Sequence, residues 1–339
     1  MNRSHKLSTT DERIALWIKQ ANLSSKTKIE FLAGDASDRR FARIIPPKTQ
    51  TNILVVHNDS FDSTQLPMLQ VTELFRKLPV SVPKIHDVVP ELGIVVVEDL
   101  GDTTLESAVS NSTTEQRRRY YQEAVNIIVT IQRDSQRAST TDNIAFTVAL
   151  DFDKLLFELN FFVEHFLINY LGRRVPRNVQ ERLDDEFQKL ASEMSQEPRV
   201  LCHRDFHSRN LMVYKSRLYV IDLQDARMGP DTYDLASLLR DSYMELPTAE
   251  IEQLLALYSQ LMNISDASAF RDRFIRASLQ RNLKALGTFG YQTTLKGKTR
   301  YLKAIPLTLK YLHKTLTTAP RYQGLHETLS LLVPELAPS

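Results

Sequence analysis

The segment VLCHRDFHSRNLMVYKSRLYVIDLQDA, residues 200–226, places carboxylates and an amide beside short apolar runs. Asp205 and Asn210 have four residues between them, and Asp222 ends an apolar, strand-like run. Polar groups placed in this way are costly to bury unless something binds there. A carboxylate can accept the proton of an attacking hydroxyl, and carboxylate and amide oxygens can hold the Mg²⁺ that neutralises nucleotide phosphates. The spacing predicts phosphoryl transfer, with Asp205 as the base and Asn210 and Asp222 as metal ligands.

The alternative interpretation of these residues is structural. Asp and Asn also favour turns, because their side chains hydrogen-bond to the local backbone. A single Asp or Asn would be explained best in that way. The ordered set of three, with strands between its members and a strand-rich region upstream, favours the functional interpretation.

The elements that must position these side chains change character along the chain. Residues 1–98 predict a small unit of about five strands and a central helix, with Gly34 in the first turn. From about residue 104 the apolar spacing becomes helical, and only LMVY and LYVID interrupt it as a strand pair. We therefore predict an α+β, two-lobed fold, with a β-rich lobe over residues 1–98 and a mostly helical lobe over residues 99–339.

Composition limits the classes of partner. The chain has 339 residues, one Cys and a formal net charge of +2, so no global charge attracts nucleic acid or an anionic membrane. The first twenty residues lack the apolar stretch of a signal peptide, and no apolar run is long enough to cross a bilayer. We expect a cytoplasmic protein, a monomer or a weak dimer, that binds neither nucleic acid nor membranes.

Two segments, CHRDFHSRNLM and VIDLQDARMGPDTYDLASLLRD, resemble the aminoglycoside phosphotransferase and choline kinase superfamily, whose fold is like that of protein kinases. Its pattern is matched at His203, Asp205, Asn210 and Asp222. The segments GDASDRRFARI, EDLGD, DLASLLRDSY and LQRNLKALGTFG resemble one branch of it. That branch comprises bacterial kinases that phosphorylate the anomeric hydroxyl of N-acetylmuramate and N-acetylglucosamine in cell-wall recycling. The resemblance implies ATP and Mg²⁺ as cofactors and an amino sugar as acceptor.

The resemblance also implies a nucleotide site. GDASDRRFAR would cover the phosphates, with the backbone near Ser37 and the side chain of Arg40 or Arg43 facing them. The backbone from Glu98 through Asp99 to Leu100 would meet the adenine.

One position departs from the family pattern, in which the third strand carries a Lys that pairs with a helix Glu. TNILVVHND has no Lys, and only His57 near that position is titratable, although Glu73 occupies the place of the helix Glu. We expect an Arg of the phosphate loop to replace the Lys.

Supporting and acceptor residues complete the prediction. The resemblance assigns His203 and His207 to the catalytic loop, where His207 would brace it, and gives Asp234 a bond to that loop. The segment from Arg271 to Lys303 is strongly basic. Any part of it that faces the cleft would suit a sugar bearing a carboxylate, whereas a charge run of this kind is otherwise a solvated surface. The predicted acceptor contacts are Arg240, Asp241, Arg281 and Lys284.

Three alternatives remain open. An acidic acceptor pocket would favour an aminoglycoside, choline or another small alcohol as acceptor. The missing Lys favours a pseudokinase that binds nucleotide without turnover, although the complete set of Asp205, Asn210 and Asp222 argues against it. A protein kinase ranks lowest, because a helix follows Asp222 almost at once and leaves no activation segment.

Overall fold

The computed structural model describes residues 9–32, 39–135, 137 and 143–337. In the first lobe Thr9 and Glu12 form a capping box at the start of the first helix. The elements of this lobe are α1 (Thr10–Gln20), β1 (Lys28–Leu32), β2 (Arg40–Ile45), β3 (Asn52–Val56), α2 (Pro67–Arg76), β4 (Ile85–Val89) and β5 (Ile94–Glu98). The five strands form one antiparallel sheet in the order β1-β2-β3-β5-β4. The prediction of about five strands is confirmed.

Side chains along β2 alternate between the two faces of this sheet. Ala42 and Ile44 are fully buried against Ile14 and Trp17 of α1. Phe41 and Arg43 point to the other face, which opens on a large cleft, and the side chain of Arg39 just before the strand points there as well. The packing of α1 therefore decides which arginines of this segment can reach the cleft.

The second lobe is mostly helical, as predicted. Its helices are α3 (Leu105–Ser110), α4 (Thr114–Asp134), α5 (Ile144–Thr147), α6 (Phe152–Phe162), α7 (Arg177–Ser195), α8 (Tyr233–Leu239), α9 (Thr248–Leu261), α10 (Ala267–Thr294), α11 (Ile305–Thr318) and α12 (Gln323–Ser330). A π-helical segment, Val163–Tyr170, continues α6. The helical apolar spacing continues over residues 299–316, but the structure divides this stretch: a 3₁₀ segment, Thr299–Ala304, precedes α11. Pro306 lacks the N–H that a helix interior needs and is tolerated only in a first turn.

Two short antiparallel strand pairs hold the polar segment. β7 (Leu211–Tyr214) pairs with β8 (Arg217–Val220), which confirms the predicted pair. β6 (Arg199–Cys202) pairs with β9 (Arg227–Pro230), a pairing that the sequence analysis did not predict. The two pairs place the loop after β6 and the residues after β8 side by side.

The long helix α10 is fixed tightly against α6 and the π-helical segment. A Cβ atom on Gly290 would lie 2.2 Å from the carbonyl oxygen of His165, and one on Gly287 would lie 2.9 Å from the backbone of Phe162. These glycines therefore permit a close approach of the two backbones. Within the described parts of the chain, none of the helices is both long and apolar enough to span a membrane.

Candidate active site

A cleft of about 1150 Å³ lies between the sheet and the helical lobe. This volume is slightly above the usual range for small-molecule sites, which is about 300–1,000 Å³. Twelve of the predicted site residues line it: Arg43, Glu98, Asp99, Leu100, Asp205, His207, Asn210, Asp222, Arg240, Asp241, Arg281 and Lys284. Ser37 and Gly34 lie outside the described residues. The cleft therefore brings the predicted nucleotide, catalytic and acceptor residues together.

The catalytic loop after β6 is held by Asp234, the first buried carboxylate of α8. Its Oδ2 accepts a hydrogen bond from the backbone N–H of His203 at 2.7 Å, and its Oδ1 accepts one from that of Arg204 at 2.9 Å. Arg204 has a φ of 81°, which non-glycine residues rarely adopt, so these bonds stabilise a strained turn. Asp234 contacts the catalytic loop in the way that the sequence analysis predicted.

His203 joins the two halves of the polar segment. Its ring is fully buried, and Nε2 donates to the carbonyl oxygen of Ile221 at 2.8 Å. The backbone just before Asp222 is thereby fixed relative to the loop that carries Asp205. His207 lies in the cleft, with its ring 5.3 Å from that of Tyr243 and its backbone N–H on the Asp205 carbonyl oxygen.

Asp241 also supports this loop. This role differs from the predicted acceptor contact. Its Oδ2 accepts from the backbone N–H of Ser208, and its Oδ1 accepts from that of Tyr243, both at 2.9 Å. Burial raises the pKa of Asp241 to about 6 against the effect of these hydrogen bonds. Both carboxylate oxygens are thus committed to backbone amides, and the side chain fixes the shape of the loop.

Two cations from α10 clamp one oxygen of Asp205. Lys284 Nζ lies 2.7 Å and Arg281 Nη1 lies 3.0 Å from Asp205 Oδ1. Burial acts to raise the pKa of Asp205, but Lys284, Arg281 and Arg204 outweigh it and hold that pKa well below its usual range. Arg281 and Lys284 had been predicted as acceptor contacts. In the structure both contact Asp205 Oδ1, which leaves Oδ2 for a hydroxyl, and their contact with the acceptor stays a prediction.

Asn210 and Asp222 provide the candidate metal ligands. The Asn210 Nδ2 group donates to the Asp205 carbonyl oxygen at 2.9 Å, so its side-chain oxygen is the atom that it can offer a metal. Asp222 has a φ of 64° and presents a partly exposed carboxylate to the same end of the cleft. The described residues contain no group of three or more His, Cys, Asp or Glu side chains that could hold a metal alone. Two protein oxygens fit Mg²⁺ nonetheless, since Mg²⁺ commonly takes its other ligands from phosphates and water.

The sequence analysis did not identify Arg39, which the structure places at this end of the cleft. Arg39 Nη2 lies 3.1 Å from Asp222 Oδ1, and Nη1 donates to Gln224 Oε1 at 3.2 Å. Arg40, which was predicted to face the phosphates, lies on the opposite side of the sheet with its guanidinium 4.5 Å from the Phe31 ring. A signal in the sequence could have distinguished Arg39 from Arg40. It is the strand alternation, which puts Arg39, Phe41 and Arg43 on the face opposite to the apolar Ala42 and Ile44.

Two further predicted residues, the supporting Glu73 and the phosphate-loop candidate Arg43, have protein partners in the structure. Glu73 is more than half exposed on α2 and pairs with Arg76 at 3.7 Å, outside the cleft. Arg43 lies in the cleft but is bound to carboxylates of the connector, with Nε 2.8 Å from Asp99 Oδ2 and Nη2 2.7 Å from Asp102 Oδ1. Arg43 therefore fixes the connector that follows β5.

The far end of the cleft is aromatic and basic. The rings of Phe289 and Tyr301 stack at 5.7 Å, and the Arg209 guanidinium lies 3.7 Å from the Tyr243 ring centroid. Arg209 also forms an ion pair with Glu106. The sequence analysis did not single out these aromatic residues, because aromatic residues on helices are usually core residues.

Arg240 borders this end of the cleft, packed between Phe274 and Tyr311 at 5.5 and 5.3 Å from the ring centroids. Its Nε and Nη1 atoms are buried without a hydrogen-bond partner among the described residues, and burial lowers its pKa. Its placement is compatible with the predicted acceptor contact and leaves that contact a prediction.

Comparisons with known proteins agree with this geometry. A model of the phosphotransferase enzyme family (APH) matches residues 28–271. The N-acetylmuramate/N-acetylglucosamine kinase of Neisseria meningitidis serogroup B is 30% identical over 325 residues, which cover 94% of this chain and 93% of that protein.

Two solved structures are similar in fold. A choline/ethanolamine kinase family protein from Mesorhizobium loti gives a TM-score of 0.62 at 12% identity, covering 95% of this chain and 98% of that one. An aminoglycoside phosphotransferase in a ternary complex with streptomycin and ATP gives a TM-score of 0.59 at 14% identity, covering 89% and 97%.

Proposed function

Because the chain belongs to the phosphotransferase enzyme family and so transfers a phosphoryl group to a hydroxyl acceptor, we propose that it uses ATP and Mg²⁺ to phosphorylate the anomeric hydroxyl of N-acetylmuramate or N-acetylglucosamine. The observation that carries this proposal is the clamped carboxylate of Asp205. One of its oxygens is held by Lys284 and Arg281, and the other is left for a hydroxyl between the candidate metal ligands and the basic, aromatic end of the cleft.

In this proposal Asp205 orients the acceptor hydroxyl and accepts its proton as the phosphoryl group is transferred. Asn210 and Asp222 would hold Mg²⁺, which neutralises negative charge on the phosphates when bound. The connector backbone from Glu98 to Leu100 would contact the adenine. The contribution of the protein is mainly positioning, and the supports from Asp234, Asp241 and His203 make that positioning rigid.

The charge at the acceptor end supports an amino sugar over the alternative acceptors. Arg209, Arg240 and Arg300 border this end, whereas the Glu106 carboxylate is paired with Arg209 and that of Asp241 is bound to backbone amides. An aminoglycoside is a polycation and would meet like charge here. Choline would need an aromatic face, and that of Tyr243 already faces the Arg209 guanidinium. A neutral or carboxylate-bearing sugar suits this environment better.

The test is ADP release from the purified chain with ATP and Mg²⁺, with N-acetylmuramate, N-acetylglucosamine, an aminoglycoside or choline as acceptor. We expect turnover with the amino sugars and a sugar 1-phosphate in the phosphorus NMR spectrum. The Asp205→Asn variant should lose at least about a thousandfold in kcat while it still binds nucleotide.

Other outcomes would separate the alternatives. Turnover with choline or the aminoglycoside alone would contradict the proposed acceptor and keep the phosphotransferase chemistry. Absence of turnover with every acceptor, together with weak nucleotide binding, would favour a pseudokinase. Wild-type turnover in the Asp205→Asn variant would contradict the role of Asp205.

A further inference from the structure

Arg39 makes a direct contact across the cleft. Its backbone belongs to the first lobe, next to β2, and its guanidinium reaches Asp222 and Gln224 of the second lobe. Its side chain is only 15% exposed, whereas that of Asp222 is 40% exposed. A positive charge is thus held beside the carboxylate that is the candidate metal ligand.

The neighbouring cations of the cleft are engaged by carboxylates that have other structural tasks. Arg43 binds both carboxylates of the connector, Arg204 binds Glu158 and Asp225, and Arg281 and Lys284 bind Asp205. Moving any of them to a phosphate would break the connector, the strained turn or the orientation of the base. Arg39 differs from these cations, because its partner, the Asp222 carboxylate, is itself expected to bind the metal instead.

A divalent cation held by Asp222 would compete with the Arg39 guanidinium for this carboxylate. The guanidinium contacts Oδ1, and a metal bound at that carboxylate would repel it at short range. The phosphates that arrive with the metal offer Arg39 a new set of oxygens nearby. A guanidinium suits such a partner, because its planar array of N–H groups can bind two phosphate oxygens at once.

The cleft-facing side chains of β3 provide no alternative cation. Ile53 and Val55 are apolar, and His57 follows them on the same face. Burial, assisted by the charges of Arg39 and Arg13, lowers the pKa of His57 to about 4, so its ring is neutral at pH 7.

We propose that Arg39 is the phosphate-binding cation of the nucleotide site, and that it exchanges the Asp222 carboxylate for phosphate oxygens when the metal nucleotide enters. This inference rests on the proposed function, because it requires a nucleotide in the cleft. It also assigns opposite tasks to two adjacent arginines: Arg39 faces the phosphates, and Arg40 stacks on Phe31 at the far side of the sheet.

The test compares Arg39→Ala with the matched variant Arg40→Ala in the full chain. The affinities of ADP with Mg²⁺ and of adenosine, which has no phosphate, are measured by isothermal titration calorimetry. We expect Arg39→Ala to weaken ADP binding by about 10- to 100-fold, as for loss of a hydrogen bond to a charged group, and to leave adenosine binding unchanged. Arg40→Ala should change both affinities by less than about twofold, and Arg39→Lys should recover part of the loss.

Each other result is decisive. Equal ADP affinities of the wild type and Arg39→Ala would overturn the inference. An equal loss of ADP and adenosine binding would also overturn the inference, because it would show that Arg39 has a structural role. Thermal melting of Arg39→Ala and Arg40→Ala would reveal such a role as well. If the wild type bound neither ligand, the proposed function itself would be contradicted.

Discussion

Replacement of Lys284 by Met decides whether the cations of α10 orient the base or bind the acceptor. Methionine keeps the apolar stem and most of the length of the side chain and removes the ammonium group that lies 2.7 Å from Asp205 Oδ1. Both partners are largely buried, with exposed fractions of 14% for Lys284 and 24% for Asp205, so solvent screens the pair only weakly. A hydrogen bond to a charged group in such a setting contributes about 1.5 to 3 kcal/mol.

If Lys284 holds Asp205 in its productive rotamer, the substitution raises the free energy of the transition state by this amount. The expected decrease in kcat is about 10- to 100-fold, because Arg281 still holds the same oxygen at 3.0 Å. KM for ATP should not change, and KM for the amino sugar should change by less than about threefold. Lys284→Arg should keep most of the activity, because it keeps a charge in reach of Asp205.

The assay is steady-state ADP release with each substrate varied in turn. Lys303→Met is the matched control: it removes an exposed Lys of the same basic segment that lies outside the cleft, and it should behave as wild type. An unchanged kcat with a strongly raised KM for the sugar would refute the orienting role. That result would return Lys284 to the acceptor contact that the sequence analysis predicted.

Two further predictions concern metal binding and pH. Asp222→Asn should weaken ADP binding in the presence of Mg²⁺ by about tenfold or more, since even the loss of an outer-sphere partner of a metal has that effect. In EDTA, where no metal is bound, the substitution should not weaken ADP binding. Equal effects in calorimetry with and without the metal would contradict the role of Asp222 as a metal ligand. Burial raises the pKa of Glu197 to about 7, so the folded state holds this proton more tightly than the unfolded state and loses stability as the pH rises from about 4.5 to 7. In urea unfolding, the free energy of unfolding of Glu197→Gln should depend less on pH than that of the wild type, by up to about 3 kcal/mol across this range. Identical pH dependence of the variant and the wild type would show that Glu197 does not titrate with a raised pKa.

The residues of the candidate catalytic loop could be picked out from sequence because they lie close together along the chain. Asp205, Asn210 and Asp222 lie within one short segment, and the strand pair β7–β8 that separates them is a local hairpin. The same holds for the five-stranded sheet, whose strands are rich in β-branched residues. The two-lobed fold followed from these local patterns and was confirmed.

Contacts between distant segments were not predictable in the same way. A spacing of three residues places Arg281 and Lys284 on one face of α10, which the sequence does indicate. That this face meets Asp205 depends on how α10 packs against α6 through Gly287 and against the π-helical segment through Gly290, and no local pattern encodes that packing. The β6–β9 pairing is likewise non-local, and the segment RMGP lacks the alternation of a typical strand.

The choice between Arg39 and Arg40 is an intermediate case. Strand alternation limits the answer to two possibilities, because the two residues must face opposite ways. Deciding between them needs the identity of the covered face, which Ala42, Ile44 and helix α1 define. A prediction based on sheet parity, with the apolar residues of β2 assigned to the α1 face, would have selected Arg39.

The binding of Arg43 to the connector determines where the two lobes can pivot. Asp99 and Asp102 both accept hydrogen bonds from Arg43 of the sheet, so these contacts link the connector as far as Asp102 to the first lobe. The next residue belongs mechanically to the second lobe, because the carbonyl oxygen of Thr103 accepts a hydrogen bond from Val213 of β7 at 2.8 Å. We therefore expect any opening or closing of the cleft to use the few backbone torsions between Asp102 and Thr103, a far shorter hinge than the length of the connector suggests.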